Sequence, residues 1–214
     1  MTGVKSSRTS RATETRRRIT AAATELFLAN GYGATTLQQV ADQAGVAVQT
    51  IYFTFRNKPT LLKELVDVAI AGDDRPMATL DRPWFADVVA APDARSGLTA
   101  LVAGSRAVLE RVAAVSDMVR TAAAAHPELR DLWPDREDPR YTVHTAAAKA
   151  LLDKPGIRAG LAEEQAADIL YALLSPELFL ILTRDRAWTP ETWQCWATDV
   201  LATQLLDRDA PEPA

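Results

Sequence analysis

The stretch at residues 31–58 reads GYGATTLQQVADQAGVAVQTIYFTFRNK and decides the fold. Thr36 is followed three positions later by Gln39, which is the spacing of a capping box and predicts the start of a helix. Gly45 ends this helix, and a second short apolar segment with Ile51 as its inward anchor follows it. Two short helices joined by a glycine-containing turn predict a helix-turn-helix.

Longer helices are predicted on both sides of this pair. From residue 15 onward the apolar residues recur with the spacing of one helix face, and the pattern stops at Gly31. After the pair, Asn57 is placed to cap a fourth helix. The helix before the pair would brace it, so we expect an N-terminal three-helix domain over residues 1–57.

The remainder of the chain, residues 58–214, is predicted to be an all-helical body. Residues 73–95 are rich in Pro, Asp and Arg, which predicts a loop with one short helix near 84–89. Helical patterns follow at 97–115, 116–125, 138–152, 162–184 and 189–206. No segment alternates as a strand would, so the expected fold class is all-α, with a kink at Pro176.

Composition excludes several classes of protein. The chain has 214 residues, of which 48% are hydrophobic and 24% charged, as expected of a folded globule. Its single cysteine, Cys195, cannot form an internal disulfide and is interpreted as an inert thiol, so a cytoplasmic location is expected. We find no apolar run of about 18 residues and no apolar N-terminal leader, so no membrane partner is expected.

Charge is distributed unevenly along the chain. Residues 1–63 carry nine basic and three acidic residues, a net charge of +6, whereas the remainder carries −10. A basic end on an acidic body is typical of a polyanion-binding head. The alternative is a disordered basic tail, which the clustering of basic residues around the helix-turn-helix disfavours. DNA is therefore the expected partner.

Three runs in this region resemble a known family. Residues 31–37 (GYGATTL), 40–46 (VADQAGV) and 50–58 (TIYFTFRNK) resemble the N-terminal DNA-binding domain of TetR-type transcriptional regulators. Residues 172–177 (ALLSPE) and 186–191 (RAWTPE) resemble one type of TetR C-terminal region. The resemblance implies a homodimeric repressor on a palindromic double-stranded operator. It also implies a C-terminal effector-binding and dimerisation domain whose ligand, a small apolar or amphipathic effector, changes the separation of the two heads, with no other cofactor.

Candidate phosphate contacts surround the helix-turn-helix. Thr36 stands at a helix start, where a hydroxyl and free amides suit a phosphate oxygen, although capping alone would also explain it. Tyr52 and Lys58 match positions that commonly touch phosphate in the resembled family; the alternatives are a packed tyrosine and a solvated lysine. The arm at residues 5–18 holds six basic residues, and Arg17 and its two Arg neighbours on the first helix are expected to contact the backbone of DNA.

Base contacts are expected from the second helix of the motif. Its outward residues are Val48, Gln49, Thr50 and Phe53. Gln49 can bind adenine through two hydrogen bonds, and Val48 and Thr50 offer methyl groups to thymine, which favours A·T pairs at the contacted positions. The resembled family often has Ser or Thr where Ala47 stands and a basic or small polar residue at Val48, so this chain departs at both.

The last two predicted helices are candidates for a two-fold interface. Its expected residues are Leu173, Trp193, Trp196 and Val200, because a terminal helix rarely needs two tryptophans for its own core. The alternative is an apolar stripe within one subunit. Candidate effector-pocket residues, each of which could equally be core or surface, are Arg106, Leu109, Met118, His144, Tyr171, Ser175 and Phe179.

Other functions find less support in the sequence. The two histidines, His126 and His144, lack partners at metal-ligand spacing, so no metal site is expected. The motifs GxSxG, GxxxxGK[ST], GxGxxG and HExxH are absent, so no enzyme is expected. A DNA-binding protein without ligand control remains as an alternative and predicts a tightly filled body. A helical adaptor would leave the basic motif unexplained.

Overall fold

The computed structural model describes residues 3–72, 77–132 and 138–207, and excludes the side chains of residues 3–10 and 130–132. Across these ranges the protein is helical, with one isolated bridge between Ile157 and Leu206 as its only extended pairing. The chain forms two compact units, Met1–Ala69 with Ala114–Pro134 and Ile70–Ala113 with Asp135–Ala214. The all-α fold class expected from the sequence is confirmed.

The first unit begins with four helices. They are α1 (Gly3–Asn30), α2 (Leu37–Ala44), α3 (Val48–Phe55) and α4 (Lys58–Ala71), of which the last two residues of α4 belong to the second unit. Gly31 ends α1 with a φ of 83°. The capping box of Thr36 and Gln39 is formed, Gly45 closes α2 in the left-handed region, and Asn57 caps α4 by accepting a hydrogen bond from the amide of Thr60. These three predicted signals are confirmed.

The second unit contains the remaining helices. They are α5 (Pro83–Ala90), α6 (Ala94–Ala125), α7 (Pro139–Leu152), α8 (Glu163–Leu173), α9 (Pro176–Leu180) and α10 (Pro190–Leu205), with short 3₁₀ turns at Thr79–Asp81 and Pro127–Leu132 and a π turn at Ile181–Asp185. The last turns of α6, from Ala114, and the 3₁₀ turn after it belong to the first unit.

Two predicted boundaries in the body are wrong. The segments 97–115 and 116–125 form one helix, α6, because no Gly or Pro interrupts the chain between residues 105 and 125. The segment 162–184 is not a kinked helix. It breaks after Leu173, and Ser175 caps a new helix by accepting a hydrogen bond from the amide of Leu178, 3.2 Å away. Pro176 fits the first position of α9, where a helix needs no amide donor.

Each unit has its own apolar core. In the first, α1–α4 bury residues such as Phe27, Ile51 and Leu61, joined by Val115 and Leu129 from α6 and the turn after it. In the second, α5–α10 surround Leu98, Leu101, Leu151, Leu170 and Trp193. The N-terminal helices thus pack in one core with residues from α6 and the turn after it, which are distant in the sequence.

One stretch corrects the expectation that no run is long enough to span a membrane. Within the described residues, Glu163–Asp185 reaches that length with a mean hydropathy of 1.6 over its most apolar window. A third of that window is buried, and Leu170, Leu174 and Phe179 contribute to the core of the second unit. Only the length and composition of this stretch favour a membrane span, because it is broken into α8 and α9 and part of it is buried in the core.

Candidate nucleic-acid interface

A shallow, open cleft of about 540 Å³ lies on the first unit. It is formed at the start of α2, along α3 and at the start of α4, and its lining residues are Thr36, Leu37, Gln38, Val48, Tyr52, Asn57 and Lys58. Four of these, Thr36, Val48, Tyr52 and Lys58, are residues that the sequence predicts to contact DNA. The fold therefore brings predicted phosphate and base contacts to one surface.

The start of α2 supplies amides to this cleft. The amide of Gln39 donates to the Thr36 hydroxyl oxygen (3.2 Å), and the amide of Thr36 donates to the Gln39 side-chain oxygen (2.7 Å). The Thr36 side chain is thus engaged in capping. The amides of Leu37 and Gln38 lie in the first turn, where no helical carbonyl precedes them, and they are the groups suited to a phosphate oxygen.

The outer face of α3 is exposed. Phe53 is 92% exposed and Tyr52 is 53% exposed, while Gln49 is exposed one turn before Phe53. Val48 and Thr50 are half-buried, and Val48 packs against the core of the first unit. Ala47 precedes α3 without a side-chain cap, as its departure from the family pattern predicts. Gln49 and Phe53 are therefore the side chains of α3 that are best placed to reach a base edge.

Lys58 occupies a partly apolar position at the cleft. Its Nζ lies 4.1 Å from the ring centroid of Tyr32 and 5.8 Å from that of Phe27. Burial lowers the pKa of Lys58, and the nearby carboxylate of Glu128 opposes this change. Burial, with a smaller contribution from Glu128, raises the pKa of Tyr32 to about 12. Tyr32 and Glu128 were missed as site residues, since neither carries a local sequence signal for this contact.

The three arginines at positions 16–18 of α1 have different surroundings. Arg16 forms an ion pair with Glu64 (2.6 Å), and its guanidinium lies over the Phe55 ring. Arg18 donates to the carbonyl oxygens of Ala44 and Gly45 at the end of α2. Arg17 is exposed and binds Glu14 one turn earlier on α1, which lowers the pKa of that carboxyl. Arg16 and Arg18 thus have structural partners on other helices, whereas Arg17 lies on the exposed surface.

The basic arm lies only partly within the described structure. Its backbone from Gly3 onward is part of α1. The side chains of Lys5 and Arg8 lie outside the described residues, so their expected contacts with DNA stay predictions.

The predicted effector-pocket residues do not all come together. Met118 packs against the core of the first unit, and the other six belong to the second. Arg106 pairs with Glu191 (2.9 Å) and Glu110 (3.4 Å). Leu109 is buried in the core, Ser175 caps α9, and Phe179 packs edge-on against Trp193 at 5.1 Å.

His144 and Tyr171 lie in a polar cluster between α7 and α8. Burial, followed by the nearby charge of Arg140, lowers the pKa of His144 to about 4, while Asp138 opposes this. The Tyr171 hydroxyl donates to Asp138 (2.5 Å), and the Arg140 guanidinium lies 3.4 Å from the Tyr171 ring centroid. His144 is thus a neutral imidazole at physiological pH. Within the described ranges, no three His, Cys, Asp or Glu side chains form a metal-binding group.

Some of the candidate dimer-interface residues are buried within the subunit, and others are accessible. Trp193 is fully buried in the core of its own subunit, so it is not available to a partner and matches the alternative of an internal stripe. Trp196 is half-buried and packs edge-on against Trp188 at 6.0 Å. Leu173 and Val200 are also half-buried, and Cys195 is exposed.

Comparison with known proteins identifies the N-terminal domain. Residues 19–65 match the model of the family "Bacterial regulatory proteins, tetR family". The HTH-type transcriptional regulator SrpR of Pseudomonas putida is 38% identical over 86 residues, which are 39% of this chain and 40% of SrpR. The matched segment thus spans less than half of that relative.

Solved structures share the fold along most of the chain. NalD, the secondary repressor of the MexAB-OprM multidrug efflux pump in Pseudomonas aeruginosa, aligns over 94% of this chain and 100% of its own, with a TM-score of 0.68 and 22% identity. A putative regulator from Saccharomonospora viridis in complex with choline aligns over 92% and 100%, with a TM-score of 0.67 and 24% identity. Residues 19–65, which contain the helix-turn-helix, are therefore similar to the TetR family of bacterial regulatory proteins, and the fold of the solved structures is shared along most of the chain.

Proposed function

We propose that the protein is a cytoplasmic transcriptional repressor that binds a palindromic operator as a homodimer and loses or gains DNA affinity when a small effector binds. The observation that carries this proposal is the cleft at the start of α2, α3 and α4. It gathers first-turn amides, the Tyr52 hydroxyl and the Lys58 ammonium beside the exposed face of α3. Amides, hydroxyls and ammonium groups are the groups that bind DNA phosphates, and an exposed helix face can enter the major groove.

The division of the chain into a DNA-binding domain and a regulatory domain supports this function. We propose residues 1–57 as the DNA-binding domain and residues 58–214 as the regulatory domain. Residues 1–57 carry seven basic and three acidic residues, a net charge of +4, whereas residues 58–214 carry −8, so charge would orient the protein on a polyanion. NalD, which shares the fold, is a repressor, and this likeness supports the same role here.

A dimer supports recognition of a palindrome. Apolar side chains of α8, α10 and the π turn before α10 remain accessible on the subunit: Ile181 is 49% exposed, and Leu173, Trp196 and Val200 are half-buried. Burying them against a second copy would remove this apolar surface from water. Two heads would then place their α3 helices about 34–36 Å apart, or a multiple of one turn, in successive major grooves.

Two unpaired nitrogen atoms in the second unit support the proposal that a small effector binds there. Among the described atoms, Nδ1 of His144 and Nε1 of Trp193 are buried without a hydrogen-bond partner. Such atoms cost about 1–3 kcal/mol each when left unpaired, so a ligand with matching polar atoms would bind favourably. The Saccharomonospora viridis regulator, similar in fold, forms a complex with choline, a small cation, and this supports a small-molecule effector here. Besides His144, the proposed lining comprises Arg106, Leu109, Tyr171, Ser175 and Phe179.

The proposal is tested by selecting bound sequences from random duplex DNA with the purified full chain. We expect a palindrome, with half-sites enriched in A·T pairs opposite Gln49. Gln49→Ala should relax the choice at that base, and Lys58→Ala should weaken binding to all sequences. Lys63→Ala is the matched control, because Lys63 lies further along α4 and pairs with Asp67.

Two results would reject parts of this proposal. Recovery of no palindromic sequence would reject operator binding by a dimer. The effector is tested by adding choline, and separately small apolar or amphipathic molecules, to the protein–operator complex and measuring DNA affinity. If none of these compounds changes the DNA affinity and a crystal structure shows a tightly filled second unit, the protein regulates transcription without ligand control.

A further inference from the structure

The ammonium of Lys58 lies close to two aromatic rings, and the same residue lines the open cleft. Its Nζ lies 4.1 Å from the Tyr32 centroid and 5.8 Å from the Phe27 centroid. Among the described side chains, no carboxylate lies within 4.0 Å of this ammonium. A cation over an aromatic face is attracted by the ring while its remaining N–H groups stay available.

The Tyr32 ring is itself held in place. Phe27 packs against it with centroids 5.4 Å apart, and His126 packs edge-on at 5.2 Å from the turn after α6. Gly33 permits this approach, since a Cβ there would lie 3.0 Å from Nε2 of His126. Tyr32 is 3% exposed, so its ring has little freedom to move. Lys58 therefore rests on a rigid support rather than on a mobile side chain.

We infer that Tyr32 is a positioning residue for DNA binding, which holds the ammonium of Lys58 in place at the cleft for contact with the phosphate backbone. Lysine has a flexible four-carbon stem, and holding it in advance reduces the conformational entropy lost on binding. Partial removal of water from the ammonium also strengthens its attraction to a phosphate. The inference rests on the proposed phosphate contact of Lys58.

Other groups near Lys58 have a different effect. Glu128 favours the charged form of the lysine, and His126 lies 3.4 Å from Glu128. Tyr52 lies on the same cleft as Lys58. None of these three offers an aromatic face to the ammonium in the described contacts, so Tyr32 and the more distant Phe27 form its support.

The test compares Tyr32→Leu with Tyr32→Phe in the full chain. The probe is the duplex selected by the wild-type protein, and the readouts are its dissociation constant and the slope of affinity against salt concentration. Tyr32→Phe keeps an aromatic face and should bind as the wild type does. Tyr32→Leu should lower the affinity by about threefold to tenfold, the range of a partly desolvated cation–π contact.

A double-mutant cycle separates positioning from a general structural role. If Tyr32 acts through Lys58, Tyr32→Leu should have little further effect in the Lys58→Ala background. An undiminished effect in that background, or equal reductions for Tyr32→Phe and Tyr32→Leu, would overturn the inference. An unchanged affinity and salt slope in Lys58→Ala alone would instead reject the proposed contact between Lys58 and DNA.

A direct measurement keeps the inference testable if Tyr32→Leu fails to fold. The ε-methylene protons of Lys58 should show an upfield ring-current shift in the NMR spectrum of the wild-type protein. The shift should persist in Tyr32→Phe and in the complex with the selected duplex. Its absence in the free protein, or its disappearance when DNA binds, would show that the ring does not hold the lysine for phosphate.

Discussion

Nε of Arg16 lies 2.6 Å from Oε1 of Glu64, an ion pair that joins α1 to α4 across 48 residues of sequence. The same guanidinium lies 4.9 Å from the centroid of the Phe55 ring at the end of α3. Arg16 therefore connects three helices of the first unit. Its neighbour Arg17 pairs with Glu14, one turn back on α1, and is more exposed.

Arg16→Ala and Arg17→Ala should separate stability from DNA binding. Arg16→Ala should lower the free energy of unfolding by about 1 kcal/mol, because it removes an ion pair and a cation–π contact. Arg17→Ala should leave stability within about 0.5 kcal/mol and reduce the salt slope by about 0.9 for each phosphate that is no longer neutralised. Urea unfolding and DNA titrations at several salt concentrations measure both. An equal reduction of the salt slope in both variants would contradict this assignment.

The helix-turn-helix could be predicted because its determinants are close together in the sequence. The capping box of Thr36 and Gln39 spans four residues, and Gly45 must adopt a φ of 63°, which glycine tolerates best. Ile51 and Phe55, one helical turn apart, are both buried, leaving Gln49 and Phe53 outside. Local signals thus indicate both the elements and the exposed face of α3.

Contacts between distant residues could not be predicted in the same way. The support of Lys58 by Tyr32 and the packing of His126 on that ring depend on the fold that joins the turn after α6 to α1 and α4. The role of Trp193 could not be predicted for a different reason. An apolar stripe on a helix can pack against either the core of its own subunit or a partner subunit, and the sequence pattern is the same in both cases. Its full burial and the packing of Phe179 against it show that Trp193 is internal.

The missing cap of α3 predicts a stabilising substitution. Ala47 occupies the N-cap with φ −70° and ψ 143°, an extended conformation that suits a capping threonine. Ala47→Thr should raise the free energy of unfolding by about 0.5–1 kcal/mol through a bond from the amide of Gln49 or Thr50 to the new hydroxyl. Ala47→Val is the matched control, since it has the same shape without the oxygen. Equal urea midpoints for the two variants would show that no cap forms.

Burial of His144 should make the stability of the protein depend on pH. Its folded pKa of about 4 lies below the ordinary value of 6.5, so the unfolded chain binds a proton first as pH falls. The stabilising effect is therefore present above pH 6.5 and is lost progressively toward pH 4. Between about pH 7 and about pH 5 the free energy of unfolding should fall by about 2 kcal/mol. Urea unfolding followed by tryptophan fluorescence measures it.

A variant distinguishes His144 from other titrating groups. His144→Gln cannot take up a proton in this range, so its stability should fall less than that of the wild type over the same pH interval. Carboxylates that titrate near pH 5 act equally in both proteins and cancel in the comparison. Identical pH dependences in the two proteins would mean that His144 is charged in the folded state or exposed to water.

Trp193 and Trp196 should differ in what they stabilise. Trp193→Ala should lower the free energy of unfolding by about 3–5 kcal/mol, reduced by the removal of its unpaired Nε1–H group, because it leaves a large cavity in a fully buried site, while the dimer dissociation constant stays unchanged. Trp196→Ala removes a half-buried ring from the proposed interface and should weaken the dimer at least about tenfold, as truncation of an interface tryptophan commonly does. Sedimentation equilibrium gives the dimer constant and urea unfolding the stability. A Trp196→Ala dimer as tight as the wild type would move the interface away from α10.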